Sequence, residues 1–494
     1  MEKILNNRPP FENAIFRYRS TKALLGEFKE LENQSIYFSP PQDLNDPMEG
    51  LRQVYWHGDK ITWRNLIRHY VICLCYQYQS YLIARDVVSL ERQGIFVHCD
   101  LDKLPKPQAR KLYDECLSAV EKLGTFTALH EYLSEADREI GHSELLYLLN
   151  FVHLLWLSAV QQVFFQFELV PEKPTQDPDP KPIADALRAL AKVNRQLRKD
   201  HPGESLDKFT EAQSQTQEQM WLIIKANSNV PEHPNRSALL SEYPQQYLRD
   251  VMQLVFPQWY VACFSLRHDN AAMWGYYADG HNGCCLVFKP TIKNGNHLIR
   301  MKGRNDYGPI GSFHSFQEFP LEEVRYSSET PNLEFFRNIS QYNQSDLKRI
   351  WFQSSEGQTS DLAKHLNMEN FQAWRKGYWE NYRISLLRKL TDWKHEEESR
   401  VILTDSMLQH GEDSNRVYSY DFNDLEGIIF GTKVTQSDKL KIIYTVGSKM
   451  EEQQRVQPFK FFQAKHNQRN GKMDAVHMDL LRFELEQPHL SGPT

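Results

Sequence analysis

Apolar residues follow strand-like and helical patterns in separate blocks of this chain. Short runs rich in aromatic and β-branched side chains, bounded by turn residues, are typical of β-strands. They lie at Phe16–Arg19, Ser35–Ser39, Tyr260–Ser265, Cys284–Phe288, Arg400–Leu403, Gly427–Phe430 and Ile442–Val446. Apolar residues spaced three and four apart predict short helices at Thr21–Glu32 and Ala271–Asp279 instead.

The order of these blocks predicts a split domain. Strand signals occupy both ends of the chain, residues 60–250 have a helical pattern, and a second helical stretch covers 345–390. We therefore predict the α+β class, with a small mixed or antiparallel sheet core and flanking helices, interrupted by a large, mainly helical insertion. Residues 1–59 and 251–465 would form the core, 60–250 the insertion, and 466–494 a C-terminal tail.

The composition is typical of a soluble protein with a large core. The chain has 494 residues, 40% apolar and 12% aromatic, so disorder throughout the chain is excluded. Its net charge of −6 does not indicate general nucleic-acid or acidic-membrane binding, although it leaves a local patch open. The seven cysteines include no C-x-x-C pair. This disfavours a zinc site and predicts free thiols and a cytoplasmic location.

One uncharged segment, Leu145–Phe167, is long enough to span a bilayer. Polar residues such as His153 interrupt it, and its flanks are Glu144 and Glu168 instead of Lys or Arg. A buried helix or a self-association surface is therefore favoured, with no membrane partner expected. A membrane-acting effector remains an alternative that rests on this segment alone.

Three stretches carry residues suited to chemistry. The first combines Arg17-Tyr18-Arg19 with residues 36–49, where Asn45 and Asp46 either serve a site or simply cap their own turn. The second runs from Ser265 at a strand end, through a short helix with Trp274 and Tyr277, to a turn at His281. Core packing is the plainer role for Trp274.

The third stretch is Glu396-Glu397-Glu398 with Arg400. Adjacent carboxylates repel one another unless a cation or ligand is near. In an extended chain, Glu396, Glu398 and Arg400 would point to one side and Glu397 to the other. A weaker feature is the acid-free stretch 289–304, whose five cations either contact phosphates or form a plain basic loop.

Together these stretches resemble the bacterial family known as domain of unknown function 2971. The family pattern has a Tyr-Arg strand, a Y-F-S-P segment ending in N-D-P-x-E, a C-F-S strand followed by M-W-x-x-Y-A, and W-x-x-E-x-E-x-R. The matching blocks here are Tyr18-Arg19, Tyr37 to Glu49, Cys263 to Phe288, Trp393 to Arg400 and Glu426 to Gly431. One position differs: His395 stands where the family has an aromatic residue before E-x-E. The resemblance implies a cytoplasmic anti-phage defence protein or toxin.

The order of Arg19, Ser265 and Glu398 is similar to that of mono-ADP-ribosyltransferases. That likeness implies NAD as the co-substrate, without a metal. It makes Arg19 the phosphate clamp, Ser265 the support for the nicotinamide ribose, Glu396 the residue that orients the acceptor and Glu398 the catalytic carboxylate, while Tyr37 or Tyr277 stacks on nicotinamide. The candidate catalytic residues are Glu398 and Glu396, and the candidate binding residues are Arg19, Tyr18, Tyr37, Asn45, Asp46, Ser265, Trp274, Tyr277, His281 and Arg400.

Two functions thus compete. The first is an NAD-using transferase or NAD glycohydrolase that modifies nucleic acid or protein. The second is a non-enzymatic module that binds a nucleotide or nucleic acid and signals through the 60–250 insertion, which would bind a partner protein or self-associate. The transferase hypothesis requires Arg19, Ser265 and Glu398 to line one cleft. No Walker or G-x-G-x-x-G motif supports other nucleotide sites.

Overall fold

The computed structural model describes most of the chain. The described residues are 11–46, 48–50, 52–84, 94–104, 106–135, 138–173, 179–200, 207–227, 234–308, 311–405 and 410–481. The N-terminal residues 1–10, Pro47 of the Asn-Asp-Pro segment, and 482–494 of the predicted tail lie outside these ranges.

Most helices lie between residues 60 and 250, and most strands lie after residue 257. The helices are α1 Thr21–Leu25, α2 Lys60–Ala84, α3 Pro107–Glu121, α4 Gly124–Leu133, α5 His142–Gln166, α6 Lys181–Asp200, α7 Asp207–Asn227, α8 Pro234–Ser237, α9 Tyr243–Asp250, α10 Ala271–Tyr277, α11 Gln344–Trp351, α12 Met368–Leu386 and α13 Gln436–Glu452. The strands are β1 Ile15–Arg19, β2 Ser35–Tyr37, β3 Gln53–Trp56, β4 Ile140–Gly141, β5 Gln258–Ser265, β6 Cys284–Phe288, β7 Thr291–Lys293, β8 Asn296–Gly308, β9 Gly311–Pro320, β10 Glu322–Glu323, β11 Arg325–Tyr326, β12 Asn332–Glu334, β13 Arg388–Lys389, β14 Glu398–Asp405, β15 Val417–Tyr420, β16 Leu425–Phe430, β17 Lys460–Asn467 and β18 Lys472–His477. About 50% of the chain is helical and 22% is strand, so the predicted α+β class is confirmed.

The chain forms two compact units. The first contains residues 1–51, 258–329 and 383–494, and the second contains 52–257 and 330–382. The second unit includes helices α2–α9 and a small sheet of order β12-β3-β4. Its helix α5 is long and apolar enough to cross a membrane by length and composition, but 56% of its most apolar window is buried within the structure.

The first unit contains an eight-stranded sheet of order β10-β14-β5-β1-β6-β16-β17-β18 and a second sheet of order β2-β15-β8-β7, with β9 added on β8. One apolar cluster contains Ile36, Met301 and Leu286, which come from both sheets, so this core lies between them. A second cluster with Phe16 and Tyr18 covers the other face of β1. Strand β1 is therefore buried on both faces, which fixes the direction of every side chain along it.

The structure differs from the predicted elements in three places. Ile442–Val446 lies within α13 and is not a strand, because Ile442, Val446 and Met450 form one buried helical face. Helix α1 ends at Leu25, where Gly26 donates its N–H to Lys22 O, so the predicted helix to Glu32 is too long. The predicted tail includes β18, which pairs antiparallel with β17. The seven cysteines are free thiols, as predicted.

Candidate functional site

A pocket of about 230 Å³ opens in the first unit beside β1 and β5. These neighbouring strands pair at one position, Phe16 with Ser265. Farther along β5, Val261 pairs with Ser39 and not with a residue of β1. The pocket lies where the two strands separate. Its lining residues are Phe16, Arg17, Tyr18, Arg19, Tyr37, Ser39, Asp43, Leu44, Asn45, Glu49, Val261, Cys263, Phe264, Ser265, Met273, Tyr277, Lys389, Glu396, Glu398 and Arg400.

Most of the residues singled out from the sequence therefore line one pocket. Those that do are Arg19, Tyr18, Tyr37, Asn45, Ser265, Tyr277, Glu396, Glu398 and Arg400. Asp46, Trp274 and His281 do not line it. The Asp46 carboxylate accepts a hydrogen bond from Met48 N at 2.9 Å and so closes a turn.

Trp274 and His281 have structural roles next to the site. Trp274 is fully buried, and its indole N–H donates to His268 O at 2.8 Å. The His281 ring stacks on it at a centroid distance of 6.4 Å. His281 has a φ of 73°, in the turn that returns the chain to β6. Both residues support β1 because the Tyr18 ring meets Trp274 edge-on at 5.2 Å.

The third charged stretch brings its carboxylates together by a backbone turn, not by an extended chain. Glu396 ends a 3₁₀-helix, Thr391–Glu396, Glu397 follows in the left-handed region with φ 42°, and Glu398 begins β14. Glu397 points to Arg267, 2.8 Å away, and is absent from the pocket lining. The backbone N–H of Glu398 donates to the Tyr326 hydroxyl, which fixes the start of the strand.

The floor of the pocket is a buried cluster of charges, formed by Glu49, Glu396, Glu398, Lys389 and Arg400. All five side chains are at most 6% exposed. Lys389 Nζ lies 2.5 Å from Glu396 Oε2 and 3.1 Å from Glu398 Oε2. Arg400 contacts both Glu398 oxygens, at 2.7 and 3.0 Å, and its Nη1 lies 2.7 Å from Glu49 Oε1. Two cations thus bridge three carboxylates.

This cluster sets the protonation of its members. Burial raises the pKa of Glu398, but Arg400 and Lys389 outweigh burial and lower that pKa to about 2. Glu49 has the opposite balance, because burial dominates and raises the pKa of its carboxyl. Burial would lower the pKa of Lys389, but Glu398 and Glu396 raise it. Glu398 and Lys389 are therefore charged at neutral pH.

The two arginines of β1 have different environments. Arg19 is part-exposed and forms an ion pair with Glu30. Arg17 is buried, donates from Nη1 to Cys263 O at 3.0 Å, and has no ion-pair partner among the described residues. Burial is the main reason why the pKa of Arg17 falls to about 10. A charged guanidinium that lines a pocket and makes no ion-pair contact there is suited to an anion.

Two hydroxyls complete the site. The Ser265 hydroxyl donates to Glu396 O at 2.7 Å and accepts from Arg267 N, so it holds the backbone of the carboxylate segment. The Tyr277 hydroxyl donates to Glu396 Oε1 at 2.5 Å. Burial and the Glu396 charge raise the pKa of Tyr277. Tyr277 therefore fixes the orientation of Glu396.

Sequence reasoning missed three charged residues of the site. Arg17 belonged to a stretch that was recognised, but Arg19 was preferred. Glu49 ends the Asn-Asp-Pro segment and received no role. Lys389 gave a local signal, because the basic pair Arg388-Lys389 stands between Leu386-Leu387 and Leu390, and charges inside an apolar run are buried only when they are paired.

No curated protein and no solved structure matches the chain. A family model described as "Protein of unknown function (DUF2971)" matches residues 273–401. This segment contains Tyr277, Lys389, Glu396, Glu398 and Arg400, which form one wall and the floor of the pocket. The resemblance to the domain of unknown function 2971 is thereby confirmed over residues 273–401.

Proposed function

We propose that this protein is an ADP-ribosyltransferase-like enzyme that uses NAD to modify a nucleic acid or a protein. The observation that supports the proposal is the convergence of a β1 arginine, Ser265, Glu396 and Glu398 on one pocket where β1 and β5 separate. A cytoplasmic role in defence or as a toxin is part of the same proposal and rests on the family resemblance alone.

The pocket suits one end of a dinucleotide. Its volume of about 230 Å³ is below the roughly 300–1,000 Å³ of sites that enclose a whole drug-sized ligand. It would therefore take the nicotinamide riboside end, with the diphosphate toward Arg17. We assign the anion contact to Arg17 instead of Arg19, because Glu30 already pairs with Arg19.

The carboxylates are suited to glycosidic chemistry. NAD supplies a glycosidic bond whose cleavage places positive charge on the ribose and releases nicotinamide. Glu398, with its pKa held near 2, offers a fixed negative charge at neutral pH, and such preorganised charges stabilise a developing opposite charge. Glu396 would orient the acceptor, and Tyr277 would hold Glu396 in place.

One observation favours the alternative of a non-enzymatic binding module. Both oxygens of Glu398 contact Arg400, and one of them also contacts Lys389. A carboxylate held in this way is a poor general base, because its pKa lies far below neutral pH. In this alternative Arg17 still binds a nucleotide phosphate, but no bond is broken.

Release of nicotinamide from labelled NAD by the purified chain tests the proposal. Under the proposal, Glu398→Gln abolishes release and Glu396→Gln lowers it, because both remove a pocket carboxylate. Glu397→Gln is the matched control, since it makes the same chemical change next to both residues on a side chain that faces Arg267. Wild-type protein that binds NAD without releasing nicotinamide would favour the binding module. Equal turnover in Glu398→Gln and wild type would reject the assigned catalytic role.

A further inference from the structure

We propose that the β8–β9 hairpin presents a binding face for a single-stranded nucleic acid, which would be the acceptor. The acceptor role rests on the proposed function, whereas the binding itself does not. The proposed surface, called the hairpin face below, consists of Arg300, Lys302, Arg304, His314 and Phe316.

Strand alternation places these side chains on one surface. Ile299 and Met301 of β8 are buried in the core between the two sheets, so Arg300, Lys302 and Arg304 point to the opposite side. Residues directly opposite each other in an antiparallel pair share a face. The register pairs Lys302 with Phe316 and Arg304 with His314, which places both β9 side chains beside the cations.

The hairpin face is positively charged. Two carboxylates lie beside it: Glu318 contacts Lys293 at 2.5 Å, and Asp421 contacts Arg300 of the face itself at 3.2 Å. The four cations Lys293, Arg300, Lys302 and Arg304 thus outnumber these two carboxylates. Lys302 is exposed and has no ion-pair partner among the described residues. Local charge thus differs from the net charge of −6 for the whole chain, and the phosphates of a nucleic acid complement it.

An exposed aromatic ring favours an unpaired strand. Phe316 is 46% exposed, and the Arg300 guanidinium lies 5.5 Å from its ring centre. Bases of a single strand stack on such rings, at roughly 1–3 kcal/mol per base, while cations follow the backbone. A duplex hides its base faces, and an acidic peptide would use the cations without needing the ring.

The hairpin face is continuous with the pocket. Register pairs connect Lys302 to Ser419 on β15 and Ser419 to Ser35 on β2. Tyr37, two residues after Ser35 and therefore on the same face, lines the pocket. Three strand spacings of ~4.8 Å separate β2 from β9, or ~14 Å in total. A few nucleotides of a bound single strand span this distance, so a strand on the hairpin face can reach the pocket with one base.

Fluorescence anisotropy with a labelled 12-nucleotide single strand, as DNA and as RNA, tests the face on the full chain. Lys302→Glu should weaken binding about tenfold or more and reduce the slope of log affinity against log salt by about 0.7. Phe316→Ala should weaken binding about fivefold or more while the salt slope stays unchanged. Lys465→Glu is the matched control, because Lys465 is an exposed strand lysine of the same unit on the other sheet.

Several results would overturn the inference. These are no binding of either strand at 50 mM salt, wild-type affinity in Lys302→Glu, or equal affinity for a duplex of the same sequence. Poly-glutamate that competes fully while Phe316→Ala has no effect would assign the face to an acidic protein instead. Nicotinamide release without acceptor is measured in parallel: turnover without oligonucleotide binding overturns the face alone, and oligonucleotide binding without turnover overturns the proposed function alone.

Discussion

Replacement of Lys389 by Met should destabilise the first unit in a strongly pH-dependent way. Lys389 Nζ lies 2.5, 3.1 and 3.8 Å from oxygens of Glu396, Glu398 and Glu49. At an effective dielectric constant near 20, each attraction is worth on the order of 5 kcal/mol before desolvation is subtracted. Without the ammonium, three buried carboxylates share Arg400 alone, and removal of one partner from a buried pair typically costs about 3–5 kcal/mol.

Proton uptake limits that cost. A carboxyl with an ordinary pKa near 4.3 takes up a proton at pH 7 for about 3.7 kcal/mol, at 1.36 kcal/mol per pH unit. The variant would therefore lose about 4 kcal/mol at pH 7. Its folded state would bind one more proton than its unfolded state, so its stability rises as the pH falls. The loss should shrink by about 1.4 kcal/mol per pH unit, to about 1 kcal/mol at pH 5.

Glu398→Gln is the informative comparison. It leaves two carboxylates and two cations, whereas Lys389→Met leaves three carboxylates and one cation, so we expect the Lys389 variant to be less stable at pH 7. Lys465→Met, an exposed position in the same unit, should change stability by less than about 0.5 kcal/mol.

Urea unfolding at pH 7 and pH 5 measures these losses of stability. A short pulse of deuterium labelling at each urea concentration shows, from the exchange of β14 peptides, how much of the first unit is unfolded. Peptides from α2 in the second unit serve as the internal reference. A loss that is equal at both pH values would refute the charge argument and indicate lost packing. A larger loss of stability in Glu398→Gln than in Lys389→Met would refute the balance of charges that we assign to the cluster.

Three further predictions concern single residues in or next to the site. Arg17→Gln should weaken binding of ADP about tenfold by calorimetry, whereas Arg19→Gln should not, because Glu30 already engages Arg19. Trp274→Phe should lower the melting temperature and leave ADP affinity unchanged, because Trp274 is buried outside the pocket. The low pKa of Glu398 predicts stability that is complete above about pH 4.5 and is lost as the pH falls toward 2. Urea midpoints across this range should therefore depend less on pH in Glu398→Gln.

The sequence predicted the central strands because they are short runs rich in aromatic and β-branched side chains and bounded by turn residues. It failed for Ile442–Val446, where β-branched residues favour a strand over a short window. The residues that decide the matter lie farther away: Met450 extends the buried face one turn beyond Val446, and β16 pairs in parallel with β17. A parallel pair requires a crossover, and α13 provides it.

The charged floor of the site could be predicted only in part. The order of Glu396 and Glu398 indicated paired carboxylates, but the positive φ of Glu397 that brings them together has no local signature. Glu49 reaches Arg400 across about 350 residues of chain, a contact that spacing cannot reveal. The contacts of Lys389 could not be predicted either, because they depend on how β13 and β14 are placed in the fold.

The sequence alone does not show whether Arg17 or Arg19 is available to an anion, whereas the tertiary structure does. Both side chains lie on the same side of β1, two residues apart, and nothing local distinguishes them as anion ligands. Glu30 makes the difference, because it neutralises Arg19 from a loop eleven residues away. Arg17 is left with a backbone carbonyl of β5 as its acceptor, at the point where β1 and β5 separate. A buried cation therefore faces a cavity whose own carboxylates are paired with Lys389 and Arg400, and this arrangement is the basis for the anion contact that we propose for Arg17.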